Sequence, residues 1–475
     1  MLFMAKRSLL VLGILAMFGH SRAQHYSYIH HTERNREIDT TSLQHFFQSG
    51  QFFGHSRFVS MGTYNKGELT DYHATGFGMG IGYETAPLHR LQLGISGFFI
   101  YNLISSDLQV PDTAAAQPNR YEVGLFDVEN PGNHHDLDRL EDLYLKYSDE
   151  HVEVKFGKQH IRTPFINPQD GRMRPTLVQG LLADWQPSKQ TKIELGWVSE
   201  ISPRSTVRWF KVQESFGLYG VGRSTSGARS GYKGNMPEAH ILYAGLSQKL
   251  GTRLKITAWN QTVTHVFNTE MLELVSTLHQ GSEANFKWYA MGVAQQVLND
   301  GGNPDPDKAY MNLGQGASLV GSTRLAYHRN SGWEFQLNYT RIADKGRYLM
   351  PREWGRDPFY TFMSRERNEG YADVHAYNAV VQFLSEENPW SGSVGVGIYK
   401  LPDANDAARN KYGFPAYCQT NASIYYMVEE GFFKGIEIGW LGVYKKAIAD
   451  TYDKTSYILN KVNVFHHNVV LNYHF

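Results

Sequence analysis

Charged residues gather in and just before a turn-rich segment that spans residues 160–175. The five candidates are Lys158, Arg162, Asp170, Arg172 and Arg174. An arginine side chain presents a planar fork of donors that matches a carboxylate, whereas a lysine offers a point charge. Three prolines, an Asn-Pro step and an Asp-Gly step in this segment predict a rigid excursion of the chain. The arginines of this segment are therefore of a type that suits contacts with carboxylates.

Two other segments carry charge mainly of one sign, and a third is rich in both signs. Segment 105–138 holds seven acids and one base, 203–237 holds six bases and one acid, and 344–370 holds six bases and five acids. If the first two segments lie over the same opening of the channel, their opposed fields would concentrate and steer charged solutes. The alternative for each residue taken singly is solvated surface charge. Segment 344–370 could complete a constriction, or it could be an external cap held by surface ion pairs that contribute little individually.

Apolar and polar residues alternate along most of the chain, which is the pattern of a strand with one apolar face. In residues 333–340, for example, Trp, Phe, Leu and Tyr alternate with Glu, Gln, Asn and Thr. The eighteen predicted strands are 52–61, 72–84, 91–104, 139–147, 151–159, 176–185, 191–202, 238–248, 252–262, 269–278, 285–297, 316–328, 332–343, 371–384, 391–401, 416–428, 434–446 and 461–475. Segment 269–278 could also be a short helix by composition, but a strand there keeps the number of strands even.

Connection lengths distinguish a membrane barrel from a soluble sandwich, whose strands alternate as well. Short and long connections follow one another in turn, as in barrels with short periplasmic turns and longer external loops. Only 41% of residues are hydrophobic, which fits an apolar outer face around a polar, water-filled lumen. The sequence therefore predicts an all-β fold, an 18-stranded antiparallel transmembrane β-barrel with inward-folded loops.

Strand parity also predicts which side chains line the inner wall. The candidate wall cations are Lys155, Arg253, Lys255 and Arg324. A one-residue error of register would turn any of them outward. The second strand carries a stripe of glycines on its inner face, at Gly76, Gly78, Gly80 and Gly82. Either a folded-in loop lies closely against this stripe, or the glycines allow the sheet to curve.

Both ends of the chain indicate the compartment. Residues 1–23 have a basic start, a short apolar stretch and small residues before position 24, which is typical of a cleaved secretory signal peptide. Residues 24–50 are expected to form a short periplasmic segment, and residues 51–475 the barrel. The last strand alternates up to a final Phe475, which resembles the C-terminal assembly signal of bacterial outer-membrane proteins. We therefore expect a location in the bacterial outer membrane, in contact with outer-membrane lipid.

Several other functions are disfavoured. Lys and Arg total 46, and Asp and Glu total 46, so the chain lacks the basic excess of a nucleic-acid binder. The single cysteine, Cys418, excludes an intramolecular disulfide and a multi-cysteine metal site. The 20 histidines lack the spacing of zinc ligands, and the sequence has neither a nucleophile elbow nor a phosphate-binding loop. We expect no metal site, no cofactor and no catalytic residue.

The run Asn-Pro-Gln-Asp-Gly-Arg-Met-Arg-Pro-Thr at 167–176 resembles the constriction-loop motif of the OprD-type outer-membrane porins. Residues 71–83 and 259–271 agree with that family as well. The resemblance implies an 18-stranded channel whose third and seventh loops fold inward, and whose wall arginines pass small, often carboxylate-bearing solutes. It also implies that Asp170 and Arg172 are constriction residues. Arg174, the flanking prolines and the acidic segment 105–138 depart from the family pattern, and they leave the solute open.

Among the classes of function, we favour a porin for passive, partly selective diffusion of small solutes that bear carboxylates. A lipase-like barrel enzyme or an adhesin is the alternative. An energised receptor would need about 22 strands and a plug domain, for which residues 24–50 are too short. Neither the solute nor the oligomeric state follows from the sequence, and a homo-oligomer stays open.

Overall fold

The computed structural model describes residues 42–475, with gaps at 169–171, 366 and 386. The proposed signal peptide, most of segment 24–50 and Asp170 therefore lie outside the described residues. Within the described part of the chain, no helix is long and apolar enough to cross a membrane.

The described regular structure consists almost entirely of strands. They are β1 (Gln51–Asn65), β2 (Tyr72–Glu84), β3 (Leu91–Ser105), β4 (Arg139–Ser148), β5 (Val152–His160), β6 (Leu177–Trp185), β7 (Thr191–Ser202), β8 (Phe210–Lys211), β9 (Ile241–Leu250), β10 (Leu254–Val263), β11 (Phe267–Gln280), β12 (Ala284–Val297), β13 (Ser318–Arg329), β14 (Trp333–Ile342), β15 (Val374–Phe383), β16 (Trp390–Lys400), β17 (Tyr417–Met427), β18 (Ile436–Ala447) and β19 (Val464–His474). The α-helices are α1 (Leu43–Gln48) and α2 (Thr455–Ile458), and short 3-10 helices span Glu122–Leu125, Val212–Ser215 and Leu313–Gln315.

Eighteen of these strands form one closed antiparallel sheet in chain order, while the two-residue β8 pairs with the end of β7. β1 and β19 close the barrel through eleven residue pairs, from His55 opposite His474 to Asn65 opposite Val464. Closure leaves no open edge, which lipid requires because it offers no hydrogen bonds to backbone groups. The predicted 18-stranded barrel is confirmed, and the ambiguous segment 269–278 lies within strand β11.

The connections alternate between the two ends of the barrel. Short turns at one end are 85–90, 149–151, 186–190, 251–253, 281–283, 330–332, 384–389 and 428–435. The connections at the other end, which we number L1 to L9, are 66–71, 106–138, 161–176, 203–240, 264–266, 298–317, 343–373, 401–416 and 448–463. The end with the long loops is the external one, because barrels of the outer membrane have short periplasmic turns.

The outer wall is apolar and the inner wall is polar. On β14, Trp333, Phe335 and Leu337 are exposed at the outer surface, whereas Gln336 and Asn338 are buried on the inner face. This alternation explains how a chain of modest overall hydrophobicity presents a continuous apolar surface to lipid.

L2 fills part of the lumen against β1, β2 and β3, where its Phe126 is buried among wall residues. A side-chain carbon at Gly76 would lie 3.1 Å from the Phe126 ring and 3.3 Å from the sulfur of Met173 in L3. The rest of the glycine stripe meets rings of the wall itself: Gly78 and Gly80 face Phe98, and Gly82 faces Phe53. Close approach of a loop therefore explains Gly76, and ring packing within the wall explains the other three.

Candidate functional site

L7 folds into the barrel and crosses the lumen along the inner wall. Near one end of this crossing, the Tyr360 hydroxyl donates a 2.5 Å hydrogen bond to the Glu273 carboxylate of β11. Further along, the Ser364 carbonyl accepts a 2.8 Å hydrogen bond from the Gln419 amide of β17. Because these hydrogen bonds join L7 to strands that are far apart in the wall, L7 lies across the lumen and not above it.

L3 is joined to L7 by the side chain and backbone of Asn167. The Asn167 N–H donates to the Trp354 carbonyl at 3.0 Å, and its side-chain amide donates to the Arg356 carbonyl at 2.9 Å. The Asn167 side-chain oxygen accepts from the Arg356 N–H at 3.1 Å. Gly355 has φ +148°, and a Cβ there would lie 2.6 Å from the Asn167 side chain, so this joint requires glycine.

L4 supports the same joint through the residues on either side of it. The Trp354 indole donates a 2.8 Å hydrogen bond to the Ser215 hydroxyl, and its ring lies edge-on to Phe216 at 5.0 Å. The Glu353 carboxylate accepts a 2.9 Å hydrogen bond from the Tyr219 backbone. L3, L4 and L7 thus form one packed body, which narrows the lumen.

Beneath this packed body lies a cavity of about 860 Å³, which we call the lower cavity. Residues of L3 and L7 form its roof, strands between β5 and β17 form its wall, and it reaches the periplasmic turn 186–190. Its lining bases are Lys155, Arg162, Lys189, Lys192, Lys249, Lys255, Arg324 and Arg356, and its lining acids are Glu153, Asp184, Glu194, Glu273, Glu334 and Asp357. The lining therefore carries two more bases than acids.

Three arginines from different elements approach one another at the roof of the lower cavity, and we call them the arginine trio. They are Arg162 of L3, Arg324 of β13 and Arg356 of L7. The pKa of Arg356 is lowered to about 10, first by burial and then by the positive charges of Arg162 and Arg324. A guanidinium with that pKa is still protonated at neutral pH. The trio therefore concentrates positive charge where the folded loops meet the wall.

Aromatic rings hold two members of the trio. The Arg324 guanidinium lies 4.9 Å from the Tyr360 ring centre and 5.8 Å from that of Tyr289. The Arg356 guanidinium lies 5.4 Å from the Phe362 ring centre. A ring face orients a planar guanidinium without supplying a full counter-charge. The nearby carboxylates are Asp357, which acts on Arg356, and Glu334 and Glu273, which act on Arg324.

Two predicted constriction residues, Arg172 and Arg174, are buried within the loop body and do not line the lower cavity. Burial, and then the neighbouring charge of Arg365 in L7, lower the pKa of Arg172 to about 9. Arg174 donates a hydrogen bond to the Leu137 carbonyl of L2. These side chains join L3 to its neighbouring loops, and a contact of either one with a solute stays a prediction.

Lys158 faces the outside of the barrel, which corrects its predicted place in the constriction. It lies directly opposite Leu143 of β4, and Leu143 is 50% exposed at the outer surface. The Lys158 ammonium donates a 2.7 Å hydrogen bond to Gln179 and lies 3.5 Å from the Glu200 carboxylate. The reason is strand parity, because Lys155 lines the lower cavity and lies three residues earlier on the same strand.

Of the predicted wall cations, Lys155, Lys255 and Arg324 line the lower cavity. Arg253 does not, because it is exposed in the periplasmic turn 251–253. The sequence pattern placed the start of this strand at 252, whereas β10 begins at Leu254. The alternation of apolar and polar residues thus extends beyond the end of the hydrogen-bonded strand. For that reason Arg253 is corrected from a wall residue to a residue of the turn.

Sequence reasoning misses two residues that build the site. Arg356 is one of six bases in segment 344–370, and its type alone does not separate it from the other five. Asn167 opens the run that resembles a constriction motif, but its role as a joint depends on a partner 189 residues away. Gly355, between Trp354 and Arg356, is the local signal in the sequence that could have indicated a special backbone position in L7.

Other candidate chemistry is sparse. In the ranges that the structure describes, no three His, Cys, Asp or Glu side chains come together in a way that could hold a metal ion. Cys418 is a free cysteine on β17, opposite Ile398 of β16. Ile398 is exposed at the outer surface, so Cys418 also faces outward, away from the lower cavity.

No protein-family model matches this sequence, and no curated protein matches it. Solved structures do match. Pseudomonas aeruginosa OccK9 (OpdG) gives a TM-score of 0.68 at 13% identity over 90% of this chain and 99% of that chain. Acinetobacter baumannii OccAB2 gives 0.68 at 12% identity over 91% and 99% of the two chains. Pseudomonas aeruginosa OpdK, solved with vanillate, gives 0.65 at 13% identity over 90% and 99%.

At such low identity, these matches show a shared fold. The agreement covers nine-tenths of the chain, so the resemblance is not confined to the run at 167–176. Together with the apolar outer wall, the shared fold agrees with the outer-membrane location expected from the sequence. The chain is a β-barrel of the outer-membrane type and has the fold of the OprD-type porins.

Proposed function

We propose that the chain is a porin of the bacterial outer membrane through which small, carboxylate-bearing solutes diffuse passively. The observation that carries this proposal is the arginine trio at the roof of the lower cavity. Its members come from L3, L7 and β13, so the site exists only when both loops are folded inward. An anion in the cavity then meets guanidinium forks whose geometry matches a carboxylate.

Two lysines elsewhere in the lower cavity are paired with acids. The Lys192 ammonium lies 3.1 Å from Asp184 and 2.8 Å from Glu194, and Lys155 lies 3.2 Å from Glu153. These neighbours neutralise one another in part, and the lining as a whole keeps two more bases than acids, with three arginines together at its roof. A fixed positive surplus in a narrow cavity raises the local concentration of anions and their rate of entry.

Passage also requires that the site hold a solute weakly. A conduction pathway works when binding is favourable enough for entry and weak enough for release. Arg324 already donates to the Asn338 side chain at 2.7 Å and to the Tyr360 carbonyl at 3.3 Å. Part of its donor fork is therefore occupied, which limits how tightly it can bind a carboxylate and favours transfer to the next arginine.

Uptake of matched four-carbon solutes into proteoliposomes tests this proposal. We expect the wild-type protein to admit succinate faster than erythritol. We expect R162Q/R356Q to reduce succinate uptake on the order of tenfold and to change erythritol uptake little, because the steric size of the passage is nearly preserved. The matched control is R90Q/R409Q, which removes two arginines that are exposed outside the lower cavity.

Three results would contradict the proposal. Equal uptake of succinate and erythritol by the wild type, or succinate uptake by R162Q/R356Q that equals that of the control, would remove the carboxylate preference. Absence of uptake of either solute would favour the lipase-like or adhesin alternatives over a channel.

A further inference from the structure

The external end of β14, β15, β16 and β18 carries a row of cationic and imidazole side chains, which we call the rim row. Arg341 lies directly opposite His375, and His375 lies directly opposite Lys400 on the next strand. Lys446 lies opposite Cys418 on β17, one strand beyond β16. Directly paired residues share one face of a sheet, so the side chains from Arg341 to Lys400 point to the same side.

The rim row points away from the lumen. Leu337 lies four residues before Arg341 on β14, and Ile398 lies two residues before Lys400 on β16. Both residues are exposed on the outer wall, Leu337 at 63% and Ile398 at 43%. Lys446 shares the outward face of Tyr444, which is 49% exposed. A solute inside the barrel therefore cannot reach these cations, whereas the surrounding membrane can.

The positive charge of the rim row is concentrated at its two lysines. Arg341 is engaged by the Asp373 carboxylate at 2.8 Å. Lys400 and Lys446 are exposed, and neither forms an ion pair with an acid of the described chain. Lys158, which also faces outward, lies 3.5 Å from Glu200. The two lysines thus form an uncompensated positive patch on the outer surface of the barrel.

Aromatic residues mark the depth of this patch in the membrane. The Tyr339 and Tyr377 rings lie next to each other with centres 4.9 Å apart, just below the rim row. The Tyr339 hydroxyl is 2.9 Å from the Nδ1 atom of His375. Tyrosines are enriched at the level where lipid chains meet headgroups, so the rim row lies at the level of the headgroups in the outer leaflet.

We propose that Lys400 and Lys446 bind the phosphate group of an anionic lipid in the outer leaflet, with the rest of the rim row beside it. Lys446 is level with Ile398 on β16, so the two lysines are two strands apart and offset by two residues, which is roughly 12 Å. Their flexible side chains can converge on one headgroup. Basic residues at a membrane surface attract anionic lipid, and no acid in the described ranges competes for these two. The inference rests on the outer-membrane position in the proposed function and adds a fixed lipid site on one side of the barrel.

Titration of the detergent-purified full chain with two lipids of identical acyl chains tests this site by native mass spectrometry. The probes are phosphatidylglycerol, which is anionic, and phosphatidylcholine, which is zwitterionic. We expect the wild type to prefer phosphatidylglycerol, and we expect this preference to decrease as salt is added. We expect K400Q/K446Q to weaken phosphatidylglycerol binding by about fivefold to 25-fold, from about fivefold per lysine, and to leave phosphatidylcholine binding unchanged.

The matched control is K66Q/K233Q, which removes two exposed lysines of L1 and L4 and should bind both lipids as the wild type does. The site is disproved if the wild type binds both lipids equally, if K400Q/K446Q keeps the preference, or if inorganic phosphate displaces the lipid. Conductance of the same preparations in planar bilayers separates this inference from the proposed function. A wild type that conducts but shows no lipid preference contradicts the lipid site alone.

Discussion

At the scale of single residues, placement decides which arginines can act on a solute. Arg162 is exposed in the lower cavity, whereas Arg172 is 7% exposed among the loops. Residue type and spacing were sufficient to predict arginine chemistry in L3. They could not distinguish these two arginines, because the partners of Arg172 come from L2 and L7, far away in the sequence.

Substituting Arg172 should affect loop packing more than ion selectivity. We expect R172Q to lower the free energy of unfolding by about 2 kcal/mol, because it removes a buried charged group from its partners. We expect its reversal potential in a KCl gradient to stay close to that of the wild type. R162Q is the matched variant, and it should shift the reversal potential while changing the free energy of unfolding little. If R172Q shifts the reversal potential as much as R162Q, then Arg172 borders the path of the solute.

The Asp357 carboxyl should make the anion preference depend on pH. Burial raises its pKa to about 6, against the opposing effect of Arg367. As the pH falls through about 6, the carboxylate takes up a proton and the lower cavity loses one negative charge. We therefore expect the anion preference, measured as a reversal potential, to be larger at about pH 5 than at about pH 7. D357N should show the larger anion preference at both pH values. If the anion preference of D357N still changes with pH as that of the wild type does, another group is responsible for the titration.

At the scale of elements, strands were far more predictable than loops. A strand repeats its pattern every two residues, and the wall of a barrel needs that pattern in every strand. The same pattern does not show where a ladder ends, which is why Arg253 was placed on the wall. Loop contacts have no such periodicity, so the joint between Asn167 and L7 could not be predicted from L3 alone.

Gly76 should be essential for seating L2 and L3 against the wall. A valine there would press on the Phe126 ring and on the sulfur of Met173, which lie 3.1 Å and 3.3 Å from the ideal Cβ position. We expect G76V to cost about 1–3 kcal/mol and to make L2 more sensitive to limited proteolysis. G292V is the control, because a Cβ at Gly292 has no heavy atom within 4 Å. Equal protease resistance of the two variants would show that L2 is not held by this contact.

At the scale of the whole molecule, closure and loop infolding together account for the composition. The apolar half of each strand faces outward, and the polar half meets L2, L3, L4 and L7 in the lumen. The fold followed from the sequence because alternation, connection lengths and the final strand all require one closed barrel. The size and lining of the lower cavity could not be predicted in this way, because they depend on how the loops pack against one another.

The central claim is that ions and small solutes pass the arginine trio. Its most direct test is the single-channel current of a C418S/R162C variant, in which the one remaining cysteine faces the lower cavity. We predict that a negatively charged methanethiosulfonate reagent will lower the current in steps and reduce the anion preference. Mass spectrometry must first confirm that modification is complete. A current that then stays constant would contradict passage at the arginine trio, and so would a protein that forms no channel.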